Sequence, residues 1–245
     1  MNRPKMILFD YGQTLIKERK FDGAMGTAAV MRYAVANKYG RTPEQIQAQA
    51  DILNEELGRF SSFNAHTQAE IPFVSFETYL YESQGIKLSI SMEEAETIFW
   101  DAAAPGQAAE GIISLLKYLK EQGIRTGVVS NISFSGKALR ERIDRLLPDN
   151  SFEFVIASSD YVFRKPSKRL FQLALEKAGL RAGDVWYVGD QYDRDVAGAA
   201  SAGLFPVWYT GTANQEGIQD DAVLKIQHWV ELEQGLQILK VTDLK

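Results

Sequence analysis

The chain has 245 residues, 45% hydrophobic and 24% charged, with a net charge of −5, the balance of an ordinary globular chain with ample core. The negative sign does not favour a nucleic-acid partner. With no cysteine and only two histidines, His66 and His228, thiol catalysis, disulfides, zinc–thiolate sites and histidine clusters are excluded.

Arg3 and Lys5 are followed by four apolar residues, too few for a signal segment. No apolar run approaches a membrane span, so the expected location is the cytoplasm. Met6-Ile7-Leu8-Phe9 ends at Asp10 and the polar turn Tyr11-Gly12-Gln13-Thr14. This pattern predicts a buried parallel strand with Asp10 at its carboxyl end. Lys17-Glu18-Arg19-Lys20 reads as a charged turn. From there to Ala104 the pattern predicts helices alone. The first covers Phe21 to Tyr39, and the second opens on Thr42-Pro43 with a reciprocal Gln45. Ser61 to Pro72 reads as a loop, with Phe60, Phe63 and His66 in or beside it. Another helix is predicted from Val74 to Ser83, and a capping box at Ser91 and Glu94 opens one that runs to Ala103.

After Pro105 helix and strand alternate. Strands are predicted at Thr126–Ser130, Phe154–Ala157, Val185–Val188 and Pro206–Tyr209. Helices are predicted around Leu115, from Lys137 to Leu146, after Pro166, at Val196–Ala200 and from His228 to Leu239. The expected class is α/β, a Rossmann-like parallel sheet core with helices on both faces plus an inserted all-helical cap. The expected core is residues 1–16 and 105–245, and the expected cap is 17–104. Trp208, Tyr209 and Trp229 are assigned to the core, and the sequence gives no oligomeric state.

Four polar sites fall just after core strands or before the following helix: Asp10, Ser130, Lys165, and Asp190 with Asp195. In a parallel sheet these ends converge on one crevice. Three carboxylates are hard oxygen ligands that suit Mg²⁺. Lys165 adds a positive charge and the Ser130 hydroxyl a donor, groups that would neutralise a phosphoryl group in transfer. Asp10 is then a candidate nucleophile for a small phosphorylated substrate, and Gly12 leaves room for a phosphate beside the backbone.

The segments Asp10-Tyr11-Gly12-Gln13-Thr14, Val129-Ser130-Asn131, Arg164-Lys165-Pro166 and Gly189-Asp190 with Asp195, in this order, resemble the haloacid dehalogenase superfamily. The resemblance spans the whole chain, including a helical cap inserted after the first strand. It implies Asp10 as nucleophile and Lys165 as the residue holding nucleophile and phosphate. Ser130, Asn131, Gly12 and Gln13 are implied to bind phosphate. Asp10, the Gly12 carbonyl, Asp190 and Asp195 are implied to hold Mg²⁺.

One position departs from the pattern. The superfamily's phosphatases carry a second aspartate, a general acid/base, where this chain has Gly12, and such help is worth about 10²–10⁴-fold. Three readings follow. The first is a phosphatase whose substrate has an acyl or aryl leaving group, or in which Glu18 or Asp193 substitutes. The second is other chemistry, a dehalogenase or a phosphonate hydrolase using Lys17 or Lys38. The third is a catalytically weak protein that binds a phosphorylated ligand or serves as an interaction module. Arg19 and Lys20 are further candidates for reaching an anionic substrate.

Overall fold

Four successive apolar residues need a sheet covered on both faces, and Met6–Phe9 is wholly buried as β1. A computed structural model describes residues 2–58, 69–212, 220 and 223–242. After β1 the chain forms β2 (Ile16–Glu18), α1 (Gly23–Met31), β3 (Ala34–Asn37), α2 (Pro43–Glu56), α3 (Phe73–Ser83), β4 (Ile86–Leu88) and α4 (Met92–Ala103). It returns through β5 (Gly106–Ala108), α5 (Ile112–Glu121), β6 (Arg125–Ser130), α6 (Gly136–Leu146), β7 (Phe152–Ala157), α7 (Ser158–Tyr161) and α8 (Lys168–Ala178). The last elements are β8 (Val185–Gly189), a π-helical turn (Tyr192–Val196), α9 (Ala197–Ser201), β9 (Phe205–Tyr209), β10 (Leu224–Ile226) and α10 (Trp229–Thr242).

Six strands make one parallel sheet in the order β10-β9-β8-β1-β6-β7. From β1 the chain builds outward through β6 and β7, then returns to the other side of β1 for β8, β9 and β10. The reversal leaves a crevice at the carboxyl end of β1, the place where such sheets bind ligands. Phe9 is level with Val128 on one neighbour and Val188 on the other. Asp10 therefore emerges beside the ends of β6 and β8. Apolar clusters cover both faces, one centred on Phe9, Trp186 and Trp229, the other on Leu8, Phe171 and Tyr187. Trp208, Tyr209 and Trp229 are all buried, and Tyr209 stacks on Trp229 at 4.2 Å. No described helix is long and apolar enough to cross a membrane.

Both expected capping boxes form, at Thr42 with Gln45 and at Ser91 with Glu94. The expectation of an all-helical insertion needs correction. The first helix stops at Met31, and Ala34–Asn37 instead pairs antiparallel with Ile86–Leu88. Lys17 and Glu18 lie not in a turn but in β2, antiparallel to β5. These strands are three or four residues long, and β3 has one face exposed and the other only half covered. Their stabilisation is a pairing across some fifty to ninety residues of sequence, which leaves no local alternation to read. β10, at the sheet edge, is a further short strand without a local signal. The loop expected at Ser61–Pro72, with Phe60, Phe63 and His66, lies largely outside the described residues.

A buried ion cluster joins the helices between β2 and β5 to the sheet. Arg142 of α6 donates through Nε to the Tyr11 hydroxyl at 2.8 Å, and also to Asp101 and to the Ala104 carbonyl at the end of α4. Its Nη2 lies 3.3 Å from Glu18 Oε1 on β2, which also accepts from Trp100 Nε1 at 3.0 Å and from the Tyr11 hydroxyl at 3.2 Å. The guanidinium packs over the Trp100 ring at 4.7 Å. Removing one partner of such a cluster strands the others in low dielectric. Arg142→Met is expected to lose about 3–5 kcal/mol of unfolding free energy by urea titration. A loss below about 1 kcal/mol would mean that the cluster does not secure this junction.

Candidate active site

The ends of the central strands bring the predicted residues together. Asp10 follows β1, Ser130 closes β6, Lys165 lies between α7 and α8, and Asp190 follows β8. Asp195 returns to the same point on the π-helical turn, its Oδ2 accepting from the Gln191 amide at 3.0 Å. That return requires Gly189, because any Cβ there would collide with the Asp195 side chain.

The Lys165 ammonium is buried and spends its donors on Asp10 Oδ1 at 2.7 Å, Asp195 Oδ1 at 2.6 Å and the Tyr187 hydroxyl at 2.7 Å. Asn131 fixes the lysine's backbone from both sides, its amide donating to the Lys165 carbonyl at 2.8 Å and its Oδ1 accepting from the Lys165 amide at 2.6 Å. The Asn131 side chain is thus committed to Lys165, and Ser130 sits directly before it, lining the cavity. Thr14 Oγ1 donates to Asp190 Oδ1 at 3.4 Å, and Trp208 Nε1 donates to the Asp190 carbonyl at 2.9 Å.

Charge does not balance within this cluster. One carboxylate oxygen from each of Asp10, Asp190 and Asp195 lies within 4.8 Å of the others, all three residues buried. The ammonium of Lys165 is the one cation bonded to any of them among the described residues. Burial raises Asp10 to about 6 against the opposing pull of Lys165. Burial, then the charges of Asp10 and Asp195, raises Asp190 to about 7. Burial pulls Lys165 down, but Asp10 and Asp195 outweigh it and hold the ammonium above its ordinary value. Carboxylates crowded beyond their counter-charge fit a divalent cation with oxygen ligands.

The cluster opens into a cavity of ≈ 550 Å³. Gly12, Gln13, Arg19 and Lys20 line it with Asp10, Ser130, Asn131, Lys165 and Asp195, so the weaker candidates share one chamber with the cluster. Gln13 takes a left-handed backbone (φ 56°) and its amide nitrogens are spent on the Ile16 and Glu18 carbonyls. Of the two proposed substitutes for the missing acid, Asp193 is exposed and is not among the lining residues. Glu18 lines the cavity, but its Oε1 is held in the Arg142 cluster. A Cβ at Gly12 would meet nothing nearer than Glu18 Oε2 at 3.8 Å, so the position has room for a side chain.

Sequence reading missed Tyr187, whose hydroxyl joins Lys165 to the Val129 carbonyl at 2.9 Å. A phenol in an otherwise apolar strand was a usable signal, because a buried hydroxyl needs a partner. It also missed Glu70, which accepts from Ser158 at 2.7 Å and pairs with Arg164 at 3.2 Å beside the cavity. It missed the row of rings facing the cavity as well.

A family model described as haloacid dehalogenase-like hydrolase matches residues 4–203. The chain belongs to that family. Among curated relatives of these hydrolases, the glyceraldehyde 3-phosphate phosphatase of Methanothermobacter thermautotrophicus is 34% identical over 202 residues, 82% of this chain and 83% of that protein. Haloacid dehalogenase-like hydrolase domain-containing protein 3 of Bos taurus is 28% identical over 131 residues, 53% of this chain and 51% of that protein. The chain thus spans about half of the bovine relative, and 40% of the glyceraldehyde 3-phosphate phosphatase of Methanopyrus kandleri. In fold, the chain is similar to a phosphatase of the family from Thermococcus onnurineus, with TM-score 0.61 and 24% identity over 96% of this chain and 98% of that one. It is equally similar to a 2-haloacid dehalogenase from Pseudomonas syringae, with TM-score 0.62 and 20% identity over 96% and 99%. The fold therefore does not choose between phosphate and halide chemistry.

The surplus of buried negative charge has a measurable consequence without metal. Asp190 holds its proton to about pH 7 in the folded chain, against about 3.9 when unfolded. Its ionisation therefore opposes folding above that range. With a chelator at pH 8, Asp190→Asn is expected to be more stable than wild type by up to about 4 kcal/mol. The gap should close as pH falls through 7 and vanish below about pH 4. Equal denaturation midpoints at pH 8 would show that Asp190 carries no such burden.

Proposed function

We propose that this hydrolase is a Mg²⁺-dependent phosphatase acting on a small phosphorylated metabolite through an aspartyl-phosphate on Asp10. The observation that carries this reading is the excess of buried carboxylate at the strand ends, with one lysine among Asp10, Asp190 and Asp195. The 34%-identical relative named as a phosphatase supports it. In this reading residues 1–16 and 105–245 form the catalytic core and 17–104 the cap that closes over it.

Asp10, the Gly12 carbonyl, Asp190 and Asp195 would hold the ion. Mg²⁺, when bound, supplies positive charge against the surplus carboxylates and the phosphoryl oxygens. The protein's own part follows from its contacts. Lys165 fixes Asp10 by Oδ1 and leaves Oδ2 to attack phosphorus, while the bond to the leaving oxygen breaks and its electrons depart with it. Ser130 and the backbone at Asn131 and Gly12 receive the phosphoryl oxygens, whereas Gln13, expected to share in this, has its amide donors committed to the Ile16 and Glu18 carbonyls. Arg19 and Lys20 draw in the anionic substrate. Water then attacks the phosphorus, the bond to Asp10 breaks, and phosphate leaves with the aspartate restored.

The alternatives draw less support. A dehalogenase has no use for three crowded carboxylates. Lys17 and Lys38, the lysines considered for phosphonate cleavage, are both exposed and neither is among the residues lining the cavity.

Turnover of 4-nitrophenyl phosphate is expected to require Mg²⁺ and to fall to background in Asp10→Asn. Gly12→Asp would set a carboxyl beside Glu18, where like charge raises its pKa and suits it to donate a proton. It is expected to raise kcat/KM on alkyl phosphates by about 10²-fold or more, read by phosphate release. Absence of turnover on every activated phosphate at saturating Mg²⁺ would overturn the reading.

A further inference from the structure

Beyond the nucleophile, one wall of the cavity is built of aromatic rings. Tyr11, next to Asp10, meets Trp100 edge-on at 5.6 Å, and Trp100 stacks on Phe134 at 4.2 Å with 7° between planes. Phe134 meets Phe73 at 4.9 Å, Phe73 meets Phe99 at 4.9 Å, and Phe99 meets Phe21 at 6.0 Å. All six rings line the same cavity as Asp10 and Lys165. They come from the turn after β1, the segment after β2, α3, α4 and the loop after β6; five of the six belong to the buried apolar core, and Phe21 carries the row beyond it. Phe21, at the far end, is 56% exposed, which an interior packing role does not explain.

A triose phosphate presents hydroxyl and carbonyl groups that need polar partners along its length, and burying them unpaired is costly. The ring wall offers no such partners, which would have to come from the cavity's polar side, where Gln47, Glu70, Arg164 and Arg194 lie. The rings offer faces and edges to another ring. The cavity, at ≈ 550 Å³, is in the range that encloses ligands of drug size. The missing carboxyl at Gly12 agrees independently. A phenolate departs without a proton far more readily than an alkoxide, because its conjugate acid has a pKa near 10, as for tyrosine. Recognition and chemistry thus favour one leaving group.

We infer that the substrate is an aryl phosphomonoester whose ring lies along the Tyr11–Trp100–Phe134–Phe73–Phe99–Phe21 wall. This rests on the phosphatase reading and differs from the substrate in the name of the 34%-identical relative. Recognition is separable from chemistry with phosphonates, which bind and do not react.

The test is calorimetric titration of the full chain with Mg²⁺ present, using phenylphosphonate and methylphosphonate, beside turnover of phenyl phosphate and glyceraldehyde 3-phosphate. Phenylphosphonate is expected to bind at least about tenfold tighter than methylphosphonate. Phe73→Leu, which keeps apolar bulk but removes a ring, should cut that ratio about threefold or more. So should Phe21→Ala, at an exposed position that does not endanger the fold, with methylphosphonate unaffected in both. Equal affinity for the two phosphonates, with phenyl phosphate still hydrolysed in a Mg²⁺-dependent way, would overturn the aryl inference and leave the phosphatase standing. Preferential binding of phenylphosphonate without any turnover would support the aromatic subsite and overturn the phosphatase. Neither binding nor turnover would overturn both.

Discussion

Asp10, Asp190 and Asp195 crowd together at the end of the sheet with the Lys165 ammonium as their bonded counter-charge. Such a cluster has little value as a stabilising device, since desolvation consumes most of what pairing returns. Much of the surrounding structure holds it in place. Asn131 clamps the Lys165 backbone, Tyr187 takes the ammonium's third donor, Gly189 admits the Asp195 side chain, and Trp208 pins the Asp190 carbonyl. The strands that end at it or beside it are β1, β6 and β8, and β1 and β8 are wholly buried. The strain in charge is thus localised where a divalent ion and a phosphoryl group would relieve it.

The Arg142 cluster is the counterpart on the other side of Asp10. Tyr11 faces it from the turn after β1, Glu18 from β2, Trp100 and Asp101 from α4, and Ala104 from the end of that helix. Arg142 faces Glu18 and Asp101, and Arg145 also pairs with Asp101 at 2.7 Å, so two cations meet two carboxylates and the arrangement is a joint rather than a site. The same Trp100 ring that packs on Arg142 stacks on Phe134. The junction that holds the helices over the sheet therefore also shapes the aromatic wall of the cavity.

Membership in the haloacid dehalogenase-like hydrolases fixes the scaffold and leaves the reaction open, because a phosphatase and a dehalogenase are similar to this chain in fold to the same degree. What distinguishes members is local. Here it is Gly12 at the turn after β1, carboxylates at the base of the cavity and a wall of rings, and these features are the grounds of the proposed phosphate ester with a good leaving group.

The sequence by itself determined the parallel sheet and the polar ends of its strands. Buried strands are written as short continuous apolar runs, and a charge at the end of such a run has few explanations other than a site. Asp10 and Asp190 were legible for that reason, Ser130, Lys165 and Asp195 by their order along the chain with them, and the capping boxes at Thr42 and Ser91 because capping is local chemistry. Only the tertiary structure decided the pairing of β3 with β4 and β2 with β5, the Arg142 joint, the Tyr187 bridge and the aromatic wall. Each of these joins residues far apart in the chain. Arg142 and Tyr11 are 131 residues apart, and Lys165 and Asp10 155. Only Lys165 and Asp10 belonged to motifs whose strand ends had to converge. The other contacts depend on packing between surfaces that carry no periodic mark of their partner, so no local pattern could announce them.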